Sequence, residues 1–218
     1  MNKRIIGFTA VMIAALVGGS ATASTLGFNF SGHVSGVADD SSGTFGANFA
    51  AGDSVTGQFV IDTTAAPSGI SLHYASYPAS FSATVSGQNF GGPAEYRIFN
   101  DDPGAGDGFS IINEVGTYSA PALGDLVPRT FFIQFLGMPT TTLSDFSQVT
   151  DPVSLFPLYS PAYAPHGLRL DNSADGSFGL LYFTVDSLSA VPESGGLSLL
   201  GLGIFALICY RRVALITC

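Results

Sequence analysis

Between Ser24 and Val191 the chain is built of short segments whose apolar residues recur at every second position, each closed off by Gly, Pro, Asn, Asp or Ser. This pattern constrains the fold more than any other feature. Successive side chains of an extended strand point to opposite faces, so a period of two buries one face and leaves the other for solvent. Ala79 to Val85 shows it most clearly, with Phe81, Ala83 and Val85 on one face. Further strands are predicted from Phe28 through Val34, and at Val55 to Ile61, Glu95 to Phe99, Gly108 to Val115, Thr130 to Leu136 and Ser177 to Asp186. Gly87-Gln88-Asn89 and the run from Asp171 to Gly176 supply turn chemistry between them. No stretch of this region carries a sustained helical period with caps. Many short strands separated by regular turns predict an all-β fold of the β-sandwich or jelly-roll type. From about Gly137 to Gly167 the pattern is broken by Pro139, Pro152, Pro157, Pro161 and Pro165, which predicts a long loop across one end of the sandwich.

Charge narrows the partners. The same region holds fifteen carboxylates, three arginines (Arg97, Arg129 and Arg169) and no lysine, a net charge of −12. A nucleic-acid partner demands a basic face, and anionic lipid headgroups attract basic segments, so both are disfavoured. The balance suits solubility in cation-rich surroundings, and a polyanionic polysaccharide would need divalent cations to bridge it to this surface. Both cysteines, Cys209 and Cys218, lie near the C-terminus. The strand-rich region therefore has no disulfide, no thiol nucleophile and no Cys-ligated metal, and relies on its own apolar core.

The two ends have a different texture. Lys3 and Arg4 precede an apolar stretch from Ile5 to Val17, and Ala21-Thr22-Ala23 has the small-residue pattern that signal peptidase cuts after. Residues 1–23 are thus expected to be a helical signal peptide, with cleavage between Ala23 and Ser24. At the other end Val191-Pro192-Glu193-Ser194 leads into an apolar run reaching Tyr210, followed by Arg211-Arg212. Leu197 to Tyr210 is short for a membrane span, but counted from Val191 the run approaches the roughly 20 residues needed to cross a hydrocarbon core. The arginine pair orients such a span with its basic end in the cytoplasm and the preceding domain outside. The expected organisation is a signal peptide (1–23), a β-sandwich domain outside the cytoplasm (24–190) and a transmembrane tail (191–218).

Val191-Pro192-Glu193, a Leu/Gly/Ala-rich span and the terminal Arg211-Arg212 together resemble the PEP-CTERM sorting signal of exported proteins in Gram-negative bacteria that make extracellular polysaccharide. Ser194 stands where that motif usually has a second proline. The resemblance implies recognition of Val191, Pro192, Glu193, Ser194, Arg211 and Arg212 by an exosortase-type membrane enzyme. It further implies a precursor held in the inner membrane, then a product at the cell surface or outside the cell. Phe30-Ser31-Gly32-His33-Val34-Ser35-Gly36 and the segment Gly52 to Thr63 are similar to the opening of many β-domains exported with this signal, and imply a fold class without a chemistry.

Few residues inside the domain suggest a reaction. His33, His73 and His166 are far apart and form no ligand pair, and no Gly-x-Ser-x-Gly elbow occurs. Glu95 and Glu114 are the two glutamates of the domain and fall on predicted strands, as the paired acids of a β-sandwich glycosidase would. The chain has no Trp to stack on a sugar. The sharpest local feature is Asn100 to Gly108, where Asp101, Asp102 and Asp107 join amide and carbonyl oxygens in a short loop. Hard cations such as Ca²⁺ take six to eight such oxygens, so the loop is either a cation site or a turn made of turn-forming residues. Tyr159 and Tyr163 in the Pro-rich loop, with Tyr74 and Tyr77, are the aromatics placed to stack on a sugar face or else to pack within the loop. The leading expectation is a non-enzymatic surface or matrix protein associated with exopolysaccharide and needing no cofactor. A carbohydrate-binding module and an extracellular glycoside hydrolase are the alternatives.

Overall fold

The computed structural model describes residues 25–145, 151–159 and 166–192. Nine strands run through the described residues: β1 (Thr25–Asp40), β2 (Ser54–Asp62), β3 (Gly69–Ile70), β4 (Tyr74–Val85), β5 (Gln88–Asp102), β6 (Gly106–Asn113), β7 (Val127–Met138), β8 (His166–Asp171) and β9 (Phe178–Ala190). All their pairings are antiparallel, as an all-β reading requires.

The expected split into two stacked sheets does not occur. β2 pairs with β1 along one edge, from Thr25↔Asp62 to His33↔Ser54, and with β4 along the other, from Val55↔Val85 to Ile61↔Ala79. The ladder therefore closes on itself as an eight-stranded up-and-down barrel, with β3 a short addition beside β4. Closure removes the two free edges that an open sheet would present to other chains. The β1–β9 ladder shifts register at Ser31/Gly32, Val34/Gly36 and Val37/Asp39, and single shifts recur between β5 and β6, β6 and β7, and β7 and β8. Such irregularities bend strands and increase their twist, which lets a single sheet roll up.

Eight strands leave a lumen that side chains alone can fill. Phe28, Phe30, Phe59, Phe81, Tyr96, Phe109, Phe131, Phe135 and Phe183 fill it from all round the wall, with Ile61, Ile98, Ile111, Ile133, Leu168 and Leu181 between them. Rings of this size fit because facing positions are small. A Cβ added at Gly57 would fall within the Phe30 ring and against the Ser82 carbonyl, and one at Gly179 would fall within the Phe45 ring.

The two mouths are closed differently. At the far mouth a single helical turn, Phe45–Asn48, presents Phe45 and then Phe49 to the core, joined by Tyr118, Leu123 and Leu126 from the β6–β7 connection. The Tyr118 hydroxyl donates to the carbonyls of Thr130 and Arg169, which satisfies it while its ring is buried. The β4–β5 turn at this mouth is two residues long, with Ser86 and Gly87 both at positive φ, the geometry of a type I′ hairpin. The entry mouth, where β1 begins and β9 ends, is covered by the β7–β8 connection. This segment, expected as a loop, contains a helical turn at Pro152–Leu155 capped by the Asp151 carboxylate, then a 3₁₀ turn at Phe156–Leu158. Its Leu143, Leu155, Phe156 and Tyr159 pack onto the core.

The expected signal-peptide helix and the expected transmembrane helix, Val191 and Pro192 excepted, lie outside the described residues. No helix among the described residues is long and apolar enough to cross a membrane.

Candidate functional site

Strand pairing on the outside of the wall builds the one polar constellation that involves both domain glutamates. Arg97 on β5 has its side chain four-fifths buried, and its guanidinium donates to Glu95 and to Glu114, with Nη2 2.9 Å from a carboxylate oxygen of each. Nε adds a second 2.9 Å bond to Glu95. Burial acts to lower the guanidinium pKa, but the hydrogen bonds and charges of Glu114 and Glu95 outweigh it and the net shift is upward. Tyr74 on β4 lies 5.8 Å from the guanidinium carbon and leans on Phe99. Pro93, Ala94 and Ile112 floor the adjoining groove, which has a volume of about 310 Å³. Asn113 fixes its end by donating to the Pro93 carbonyl and the Thr117 hydroxyl while accepting from Gly116 N–H.

Glu95 lies on β5 as expected, whereas Glu114, expected on a strand, falls just beyond the end of β6 at Asn113; the structure nevertheless brings the two to one point. Arg97 joins Glu95, two residues before it on the same face of β5, to Glu114 just past the end of β6, and a strand arginine carries no local signal of the acid it will meet across the ladder. Glycosidic cleavage by two acids needs the scissile bond between them. Here the guanidinium is bonded to both acids, so the trio is an ion-pair network along the groove.

The Asn100–Gly108 segment is the tip of the β5–β6 hairpin. Asp102 accepts from the backbone N–H groups of Gly104 and Ala105, and Asp107, fully buried, accepts from Asp101 N–H and Leu143 N–H at 2.8 Å each. Asp107 thereby ties the hairpin tip to the segment that closes the entry mouth. The carboxylates of Asp101, Asp102 and Asp107 are not gathered into one oxygen cage, and among the described residues no group of three His, Cys, Asp or Glu side chains is placed to hold a metal ion.

The tyrosines separate. Tyr77 is in the core, and Tyr159 packs edge-on to Phe135 with centroids 5.0 Å apart and beside Phe156 and His166, so burial raises its pKa. Tyr159 thus serves as a lid on the core, and Tyr74, which does not line the groove, is the tyrosine whose ring meets the Arg97 guanidinium. Tyr163 lies outside the described residues. His166 is buried, accepts Gln134 N–H on Nδ1 at 3.0 Å and has its pKa lowered to about 4 by burial.

Sequence reading also missed an exposed trio on the β1–β9 wall. His33 Nδ1 is 2.9 Å from Asp186, and Thr184 Oγ1 lies 3.0 Å from Nδ1 and 3.3 Å from Nε2. A catalytic relay sets the hydroxyl in line with one ring nitrogen and the carboxylate on the other. Near-equal distances place this hydroxyl beside the ring, so the trio has the composition of a relay without its geometry.

Of the sorting residues, Val191 and Pro192 are described. Val191 continues the β9 ladder, its N–H donating to the Gly27 carbonyl at 2.8 Å. Ala23, Ser24, Glu193, Ser194, Arg211 and Arg212 lie outside the described residues. Set against protein-family models, curated proteins and solved structures, the chain has no match in any of the three comparisons.

Proposed function

We propose that this chain is an exported, non-enzymatic surface or matrix protein, made with a cleaved signal peptide and sorted through a PEP-CTERM-type tail in a Gram-negative bacterium. In this reading signal peptidase cuts after Ala23, an exosortase-type enzyme reads Val191 to Ser194 with Arg211-Arg212, and the barrel comes to rest among exopolysaccharide. The observation that carries it is the coincidence in one sequence of an n-region, h-region and Ala-x-Ala site with Val-Pro-Glu, an apolar run and an arginine pair. A lumen filled with aromatic side chains is in keeping with a structural role. Intact mass and cell fractionation test it, comparing the parent with Glu193→Ala and with an Arg211→Ala, Arg212→Ala double variant. Both variants are expected to accumulate as membrane-bound precursor. Maturation identical to the parent would reduce the tail to a plain anchor.

A carbohydrate-binding module is the second reading, favoured by the groove lined by Glu95, Arg97 and Glu114, with the Tyr74 ring 5.8 Å from the guanidinium carbon. Carboxylates and a guanidinium are suited to pair with sugar hydroxyls, and an aromatic face next to them is suited to stack on a pyranose ring. Calorimetry with exopolysaccharide fragments, on the parent and on Arg97→Met, decides it: heat of binding lost in the variant supports this reading, and no heat with either ends it.

A further inference from the structure

β7 and β8 run in register as far as Phe132↔Gly167, and the next link between them among the described residues is made by a side chain: Nδ1 of His166 accepts Gln134 N–H at 3.0 Å. An acceptor ring nitrogen carries no proton. A proton taken from solvent onto Nδ1 would set N–H against N–H, orphan the Gln134 donor and place a charge among apolar rings.

The same imidazole is the seat of the segment that closes the entry mouth. Its centroid lies 5.0 Å from Phe135, 5.7 Å from Phe183 and 6.1 Å from Tyr159, and Phe156 meets Phe135 at 5.5 Å with Leu155 buried beside them. The hydrogen bonds of Asp151 to Tyr159 among the described residues stay within the segment: Val153 N–H and the Ser154 hydroxyl donate to Asp151, and Phe156 N–H to the Pro152 carbonyl. Apolar contacts therefore hold it on the barrel, whereas the strands are held by their ladders. Few titratable groups surround the ring. Tyr159 meets it from the closing segment, and burial raises the pKa of that phenol, so it stays neutral in acid. β7 meets it with Phe135 and Gln134, which do not titrate. β9 carries Asp186 three residues beyond Phe183, 2.9 Å from His33 on the outer wall, and on β8 itself Arg169 is paired with Asp171.

We infer that His166 is an acid-operated latch: protonation of its ring releases the Pro152–Tyr159 segment from the entry mouth and uncovers Phe135, while the strand ladder stays closed. In the closed form burial pushes the imidazole pKa from 6.5 down to about 4, and in the opened form the ring meets water and titrates near its ordinary value. The opened form thus binds more protons between these values, and the opening equilibrium rises as pH falls, by at most about 300-fold.

Thiol labelling with dithiodipyridine tests the latch on the full-length chain carrying Cys209→Ser and Cys218→Ser. One cysteine is returned as Leu155→Cys under the segment, as Ala83→Cys in the lumen face of β4, or as Leu72→Cys at an exposed site. Rates at the first two are divided by the rate at Leu72→Cys, which cancels the pH dependence of the thiol chemistry. Leu155→Cys is expected to react faster than Ala83→Cys throughout, and its rate to rise by up to about 300-fold from pH 6.5 to pH 4. Adding His166→Asn should flatten that rise. Equal rates at positions 155 and 83 would make the exposure global unfolding and overturn the latch. A Leu155→Cys rate independent of pH, or a rise that persists in His166→Asn, overturns it as well. The comparison of positions 155 and 83 uses chains that keep His166 and so does not depend on the folding of the Asn variant.

Discussion

The ring of Phe81 lies flat on that of Phe131, with centroids 3.9 Å apart and planes 7° from parallel. Phe81 is on β4 and Phe131 on β7, strands separated in the wall by β5 and β6, so the stack spans the lumen. Tyr118 meets Phe81 edge-on at 5.6 Å and Phe183 approaches Phe131 at 6.2 Å. Strand hydrogen bonds link only neighbours round the wall, and it is contacts of this kind that hold opposite walls together.

Truncating that stack is expected to be among the most costly changes in the barrel. Phe131→Ala removes a fully buried ring and leaves a cavity that a closed wall cannot collapse into, at a cost of about 3–5 kcal/mol. Phe131→Leu keeps most of the volume and should cost clearly less. Urea denaturation of the two variants against the parent measures both, and equal midpoints for Phe131→Ala and the parent would remove the stack from the account of stability.

Glycine-for-ring complementarity is tested by two alanine substitutions of the same chemistry. Gly57→Ala puts a methyl into the Phe30 ring and the Ser82 carbonyl, one of them backbone, and should destabilise by roughly 1–3 kcal/mol through overpacking. Gly36→Ala meets nothing within 4 Å and is expected to be neutral or slightly stabilising, by up to about 1 kcal/mol. Thermal melts showing the same shift for both would mean that the lumen is looser than its geometry indicates.

The sequence made the strands readable but not the closure. Alternation such as Phe81, Ala83 and Val85 marks which face is buried, and each predicted strand overlaps an observed one. β8 carries no such signal, because His166, Gly167 and Arg169 interrupt its apolar residues and it follows the prolines that mark a loop. The alternation predicts β6 but not its burial on both faces, because Gly108 and Ser110 look like a solvent face, whereas Gly108 lies against Leu136 of β7 and Ser110 is paired with Arg97. Whether β2 ends a sheet or pairs with β4 depends on accumulated twist and register shifts, which no local pattern encodes. For the same reason Glu95 is legible as a strand acid while its meeting with Glu114, just past β6, at Arg97 is not.

Replacing Arg97 by Met should expose that meeting as repulsion. Glu95 and Glu114 are about half exposed, so solvent screens the ion pairs and the loss is expected to be about 1 kcal/mol or less at low salt. Added salt screens the repulsion between the two unpaired carboxylates and should narrow the gap to the parent. A gap in urea midpoint that is the same at low and high ionic strength would assign the loss to packing of the arginine stem instead.

Asp107 offers a test of the hairpin tip. Asp107→Asn keeps the shape but replaces an acceptor oxygen by an amide facing either Asp101 N–H or Leu143 N–H, at a cost of about 1–3 kcal/mol for the orphaned buried donor. If the carboxylate serves as a clamp on backbone, melting temperatures fall by the same amount in Ca²⁺ and in chelator. A parent that gains stability in Ca²⁺, with the gain lost in the variant, would instead make the tip a cation site.

His166 should make the barrel acid-sensitive in a defined window. Its imidazole is buried against Phe135, Tyr159 and Phe183, and burial pushes its pKa from 6.5 down to about 4. The unfolded chain takes up the proton as pH falls through about 6.5, and the folded chain does so only near 4. Between these values the unfolded state binds more protons, so stability falls as pH falls. The stabilisation is fully present above pH 6.5, and the loss is complete near pH 4, with an upper bound of about 3 kcal/mol. His166→Asn retains an acceptor oxygen for Gln134 N–H and carries no titrating group. Unfolding free energies of this variant should therefore be lower overall but flatter from pH 6.5 to pH 4 than those of the parent. Parallel pH profiles for parent and variant would show that His166 does not carry the acid sensitivity.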